Sequence, residues 1–484
     1  MNTSRAAVSN ALLDRMQYRG DPLADATIAR ILGPWQAPPD ATGAVQSLDA
    51  HAVQWQRLAG VNRAIESWQN NRVLLDWTGD DPDTPAELAA PLAAYVEAAR
   101  ALPAWADRAK IERAEALFMD HGVLSCTLLF CASLPECYVV PDLSEVLHVT
   151  GQLEQRTEYR IRSTAAMIFP VMMRGGLTDP DGGGVAQVLK VRLIHATIRN
   201  LILRGDPEDA VAALGEGRHV AGAGVVPTLA ARAAPRSMHQ ALFAHGWKLG
   251  ADGLPCGQEE LAYTLLTFGY VFLRSLRKLG VGLRHDDELA YLHAWNVVGH
   301  LVGIERELMA DTMEDAAALF ALMQSRGRAH PIQPDPRPEL GRMLMQTMEQ
   351  VIPLRVMKPF PVLMTRHLCG RAAAKELGLT GRVSWLSRTL FTLCLLVARI
   401  IDGTVRRVLP DFSIARFITR VVGYQFMTRM LMDQTRPLKL PEHLLVRTHT
   451  MMAGWRRDPK APRWMNALEA RLTHRGRGSS AARP

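Results

Sequence analysis

Apolar residues recur three and four positions apart along most of the chain, the period of helices that bury one face. The spacing predicts helices over 49–70, 84–100, 107–131, 155–174, 184–204, 257–280, 285–309, 311–326, 336–352, 360–377, 382–409, 412–433 and 440–456. Period-two alternation and the Asn-Gly or Asp-Gly turns of hairpins are scarce, so strands are not expected. Several helix ends are legible. The turn Asp179-Pro180-Asp181-Gly182-Gly183-Gly184 runs straight into the apolar stretch from Val185. Gly280 closes one helix, and Asp286-Asp287-Glu288 puts negative charge in the first turn of the next, where the helix dipole favours it. Gly378 and Gly381 close another. The pattern predicts an all-α fold, a single large multi-helix globular domain. Residues 1–45 read as an N-terminal arm and 46–328 as the helical core. The segment 329–341, with four prolines, reads as a connection, 342–457 as C-terminal helices of the same domain, and 458–484 as a basic tail.

Composition narrows the class. With 48% hydrophobic residues in 484, the chain is not disordered and needs no disulfide or metal staple to fold. The six cysteines match neither a CxxC nor a zinc-ribbon spacing and read as reduced thiols. No window of about 18 uncharged apolar residues occurs. The nearest, Thr389 to Ala398, is too short and lies between Arg388 and Arg399. Asp14 and Arg15 interrupt the N-terminal apolar run, so no export signal is expected. The expected location is cytoplasmic, soluble or peripheral to the inner face of the membrane.

Charge is uneven. Residues 404–484 hold 16 Arg or Lys against 5 Asp or Glu, while the rest of the chain is slightly acidic. Such an end is a solvated surface with a frayed tail, or a membrane-surface face. Trp385, Phe391, Phe412, Phe417 and Phe426 interleave there with Arg388, Arg399, Arg406, Arg407, Arg416 and Arg420. Nucleic acid is not an expected partner, because no helix-turn-helix, RNP, KH or zinc-finger pattern accompanies the charge.

The common catalytic motifs are absent: no HExxH, no GxSxG, no P-loop lysine and no GxGxxG after a strand. His293 and His300 share a helix face but lack a clear third ligand, and read as ordinary hydrogen-bonded histidines. The informative stretch is 150–204. His195 shares a helical face with Val188, Val191, Ile198 and Ile202, so its imidazole faces the interior. There it is either a hydrogen-bonded core histidine or a metal ligand. Arg192 and Arg199 lie one turn to either side, suited to pairing with haem propionates. Arg160 and Thr164 put a cation and a hydroxyl on one face of the preceding helix, with an ion pair to a nearby acid as the structural alternative.

Four ordered motifs carry a family resemblance: TGxL with RxxxT, then VRLIHATIR, then GLPCGQEELAYTLLTFGYVFLRSLRKLG, then AYLHAWNVVGHLVGIERELM. They span roughly residues 110–310, with a weaker continuation to about 455 through KPFPVLMTRHLCGRAAAKELGL. The chain resembles the rubber oxygenase (latex clearing protein) and MpaB-like oxygenases. The resemblance implies an all-helical domain that binds haem b through one axial histidine, matched by His195. It implies a distal Arg and Thr, matched by Arg160 and Thr164. The rubber-cleaving members have a Lys before that Thr, where this chain has Ser163, and they are secreted. Both departures point away from an extracellular polymer and toward the membrane-associated, prenyl-cleaving branch. Glu145, Glu154 and Glu158 are candidates for a distal base. His239, His245, His293 and His300 are alternative iron ligands. Met167, Met172 and Met173 lie near Thr164 as pocket lining or plain core. The implied activity is a haem-dependent oxygenase using O2 to cleave C=C bonds of a hydrophobic, isoprenoid or lipid-like substrate. The alternatives are a helical haem- or lipid-binding protein without catalysis, and a peripheral membrane protein whose core histidine is metal-free.

Overall fold

The computed structural model describes residues 8–35, 51–79, 84–141, 143, 145–146, 157–215, 224–229, 237–329, 331–350, 352 and 354–405. Of 123, 157–163, 165 and 398–405 only the backbone enters the description. The predicted helices 412–433 and 440–456, the tail 458–484 and nearly all of the basic end from 404 lie outside the described residues.

The fold is all-α. The described strands are a two-residue antiparallel ladder, Val225–Val226 against Trp247–Lys248. One continuous apolar core runs from Leu13 to Leu379. Met323 and Leu340, on either side of the proline-rich connection, both belong to it, so the connection separates no second core.

At the centre is the helix Gly184–Leu203, buried on almost every face. It packs against Pro22–Leu32, Thr157–Met172, Met238–Ala244 and His285–Leu301. Its start depends on glycine, because two turns of chain meet there. A Cβ on Gly182 would lie 2.2 Å from the Gly175 carbonyl oxygen. Its end is Arg204, in the left-handed region at φ 57°. That guanidinium holds the turn by donating to the carbonyls of Phe243 at 2.9 Å and Pro227 at 2.6 Å.

The main departure from the periodicity lies near the N-terminus. The supposed arm contains two helices, Asn10–Met16 and Pro22–Leu32, and the second is core. Ile28 and Leu32 are fully buried. Its signals were present in the sequence: Asp21 caps the Ala24 amide, Pro22 occupies the first turn, and Gly33 ends the helix at φ 69°. Two predicted helices are each broken by a glycine. Gln258–Phe268 and Tyr270–Leu279 meet at Gly269, whose missing Cβ would lie 3.5 Å from Trp295. Phe360–Cys369 and Arg371–Glu376 meet at Gly370, φ 92°. The helix Arg108–Leu128 kinks at Gly122 and continues through a π-turn at Leu129–Ser133.

Glu115, 1% exposed on that kinked helix, fastens the loop leading to the central helix. Its Oε2 accepts the Gly175 amide at 2.8 Å. Burial pushes its carboxyl up to about 7, against the opposing pull of the amides of Gly175, Leu177 and Gly176. A folded-state value above the ordinary one means that the native chain takes up a proton, so this group's penalty is absent below about pH 4.5 and grows as pH rises through 7. Glu115→Gln keeps the acceptor and removes the charge. Its thermal midpoint should therefore gain on wild type between pH 5 and about 7.5, on the order of 2–3 kcal/mol at the upper end. A constant difference across that range would show that Glu115 does not titrate there.

Candidate functional site

The helix Thr157–Met172, which carries Arg160 and Thr164, packs directly on the central helix, which carries His195. Thr164 is half-buried; for Arg160, Glu158 and Ser163 the description stops at the helical backbone, and Glu154 lies outside the described residues. Met172 and Met173 are buried in the core beside this helix, as plain packing requires.

His195 lies among apolar neighbours on its own helix, Val188, Ile198 and Ile202, all buried. Its Nδ1 is buried and has no hydrogen-bond partner. Burial, reinforced by the positive charge of Arg199 and opposed by Asp21, lowers its pKa to about 4, so the ring is neutral near pH 7. A neutral imidazole with an unsatisfied nitrogen is unusual in a core, where polar atoms almost always find partners.

The two neighbouring arginines make ion pairs that the sequence did not indicate. Both guanidiniums face carboxylates from the supposed arm. Arg192 clasps Asp21 through two bonds, Nε–Oδ2 at 2.5 Å and Nη2–Oδ1 at 2.8 Å. Arg199, with 0% of its side chain exposed, donates from Nε to both oxygens of Asp25 at 2.8 and 3.1 Å, and from Nη1 to the Cys256 carbonyl at 2.5 Å. These bonds occupy Arg192 Nε and Nη2 and Arg199 Nε and Nη1, while Arg199 Nη2 is buried without a partner. Asp21 and Asp25 escaped the sequence reading because their helix had been taken for an arm. The Asp21-Pro22 start could have revealed it.

Both ion pairs are roofed by glycine backbone. A Cβ on Gly303 would stand 2.3 Å from Asp21 Oδ2, and one on Gly20 the same distance from Asp25 Oδ2. Burial raises the Asp25 carboxyl to about 6, opposed mainly by Arg199.

Of the other histidines, His51 is buried against Trp35 and Phe243 with both ring nitrogens unpaired. His293 Nε2 accepts the Asp107 amide at 2.8 Å, an ordinary structural bond, and His300 is exposed, edge-on to Trp105. His239 is half-buried. His245 Nε2 lies 3.1 Å from Oε1 of Glu145, one of the three carboxylates considered as a base. Glu145 thus has a histidine partner, and both side chains are about a quarter exposed. Among the described residues no group of three or more His, Cys, Asp or Glu could hold a metal ion.

Comparison with known proteins gives three matches. Residues 226–401 match the model described as ER-bound oxygenase mpaB/B'/Rubber oxygenase, catalytic domain. A rubber oxygenase from Streptomyces sp. is 24% identical over 299 residues, 60% of this chain and 63% of that protein. The chain thus spans less than two thirds of that relative's length. A solved structure of latex clearing protein in the closed state superposes with a TM-score of 0.55 at 18% identity, covering 83% of this chain and 90% of that one. Residues 226–401 are thus similar to that catalytic-domain family, and the chain as a whole shares the fold of the latex clearing protein. At 18% identity the superposition speaks for the fold of this rubber oxygenase-like chain and not for its chemistry. The matched family segment begins downstream of Arg160, Thr164 and His195, so the roles of those three rest on the residues themselves.

The buried Asp25–Arg199 pair yields a stability test for this rubber oxygenase-like fold. Asp25→Ala strands a fully buried guanidinium and should cost about 3–5 kcal/mol. Asp25→Leu combined with Arg199→Met replaces the pair by apolar bulk and should recover most of that loss. Thermal midpoints of the two variants decide. A double variant no better than the single one would show that the charge pair is itself required.

Proposed function

We propose that the chain is a haem-b-dependent oxygenase acting on a hydrophobic, isoprenoid or lipid-like substrate, with His195 as the axial ligand. The observation that carries this is the state of His195: neutral, half-buried on the central helix, with a buried ring nitrogen that has no partner. Neutral imidazole is the ligating form. The donor set fits a macrocycle better than a bare ion, since haem brings four nitrogen donors of its own and needs one from the protein. No cluster of protein ligands for a bare ion accompanies His195 among the described residues.

Bound haem would supply the activation of O2 and, with it, oxidative cleavage of a C=C bond to carbonyl products. The chain's own work is positioning. Arg192–Asp21 and Arg199–Asp25 tie the turns on either side of His195 to a second helix, which fixes the backbone that carries the imidazole. Arg160 and Thr164, one turn apart on the packed neighbour, would donate hydrogen bonds where negative charge develops during the reaction. The family relatives support an oxygenase; the substrate class follows from the apolar surroundings of the site.

Two variants test this. His195→Ala, expressed with haem supplied, should fold with an unchanged circular dichroism spectrum but lack the Soret band. Retention of a full haem complement would remove His195 as the ligand. Arg160→Ala should keep its haem and lose about 10²–10³ in the rate of carbonyl formation from isoprenoids under O2. Equal loss of haem and fold would mark Arg160 as a structural ion-pair partner. A haem-loaded wild type that makes no such products under O2 would favour a binding protein.

A further inference from the structure

The helix Trp385–Val405 differs from every other long helix described, because its apolar residues face outward. Ser384 caps it, its hydroxyl accepting the Ser387 amide at 3.2 Å. It meets the body through Ser387 and Phe391, the latter edge-on to Phe360 with ring centroids 5.4 Å apart. Phe391 is therefore an internal anchor and not part of an interfacial face. Trp385, at 77% exposure, Leu386, Leu393, Leu396 and Val397 are all open to solvent. At 100° per residue these five occupy one arc of about 120°. Arg388, exposed, sits at one edge of that arc, and Arg399 falls beside it by position along the helix.

The surroundings carry one sign of charge. Arg371, Lys375, Arg382 and Arg388 are exposed at this end of the molecule, and no Asp or Glu occurs between Glu376 and Asp402. Glu376 is neutralised by Arg328, with bonds of 2.9 and 3.0 Å. Arg366 and Arg388 lie close enough for their like charges to interact, and Arg366 is held there by the carbonyls of Leu379 and Gly381. A water-facing apolar arc with tryptophan at its start and cations along its rim matches a helix lying in the plane of a bilayer surface. The apolar side enters the acyl boundary and the arginines reach anionic headgroups. A protein partner would be expected to meet this rim with carboxylates. The chain's basic residues from 406 onward repel the same rim and are attracted to the same headgroups.

We propose that the face formed by Trp385, Leu386, Leu393, Leu396 and Val397 docks the protein on an anionic lipid surface. This is independent of haem and of catalysis, and it is measured without either. Full-length protein is floated with phosphatidylcholine vesicles containing about 30% phosphatidylglycerol at low salt, with pure phosphatidylcholine as control. Leu393→Asp with Leu396→Asp changes two exposed positions and should leave the thermal midpoint unaltered. Cys394, the one exposed cysteine of the six, lies about 60° beyond the Val397 edge of the arc and carries an environment-sensitive fluorophore beside the face.

The expected result is flotation of wild type on anionic vesicles only, weakened by salt, with a blue shift of the Cys394 probe. The double aspartate variant should bind at least about tenfold more weakly, since two leucines lose their burial. Four results overturn the proposal. Wild type could remain soluble with anionic vesicles at low salt. The double variant could float as well as wild type, assigning binding to the basic residues beyond 405. Cys394 could resist labelling in the soluble protein, showing that another part of the chain covers the face. Wild type could form a dimer without vesicles that the double variant abolishes, making a second copy the occupant.

Discussion

Two carboxylate–guanidinium pairs, sealed between the helix Pro22–Leu32 and the central helix, set the constraint on which the interior depends. A guanidinium with no exposed surface cannot be satisfied by water, so Arg199 ties its helix to whatever offers a carboxylate and a carbonyl. Asp25 and the Cys256 backbone make that offer, and Asp21 does the same for Arg192 one turn below His195. The N-terminal helix therefore has one position along the central helix, and the imidazole between the two arginines has one orientation relative to both. Gly20 and Gly303 follow from the same constraint, because any side chain there would displace a carboxylate oxygen.

The second consequence is electrostatic. Charges concentrated beside a neutral histidine would ordinarily compete for its nitrogens. Here Arg192 and Arg199 each bond a carboxylate, and His195 is left with a buried, unpaired Nδ1. A similar economy holds elsewhere in the core. Glu136 is met by Arg274 at 2.5 Å and Gln324 at 2.8 Å, while Arg274 lies over the rings of Tyr270 and Phe320. Not every buried set is complete: Arg274 Nε, Arg199 Nη2 and both nitrogens of His51 lack partners, as does Nδ1 of His195.

The helix Trp385–Val405 obeys the opposite rule. Among its described side chains it buries Ser387 and Phe391, half-buries Leu390 and Leu395, and exposes an apolar arc beside unopposed cations. Such a surface is costly in water and is retained where something apolar covers it.

What the sequence by itself determined is the class and most of the helices. The 3.6-residue period is a local property, so segments such as 184–204 and 285–301 were legible without any knowledge of their neighbours. His195 was legible as an inward-facing residue for the same reason, and so was the structural role of His293. Glycines 269 and 370 were harder, because periodicity continues across a break and only packing against Trp295, or a φ of 92°, shows the helix stopping. The partners of Arg192 and Arg199 were not legible at all. The two carboxylates lie 171 and 174 positions away in sequence, on a segment whose composition resembled a loop. Ion pairing between distant residues leaves no periodic trace, since it is created only when burial removes water as the competing partner. The same holds for the face of Trp385–Val405. Its amphipathic spacing reads identically whether the apolar side turns inward or outward, and only the seating of Phe391 against Phe360 decided the direction.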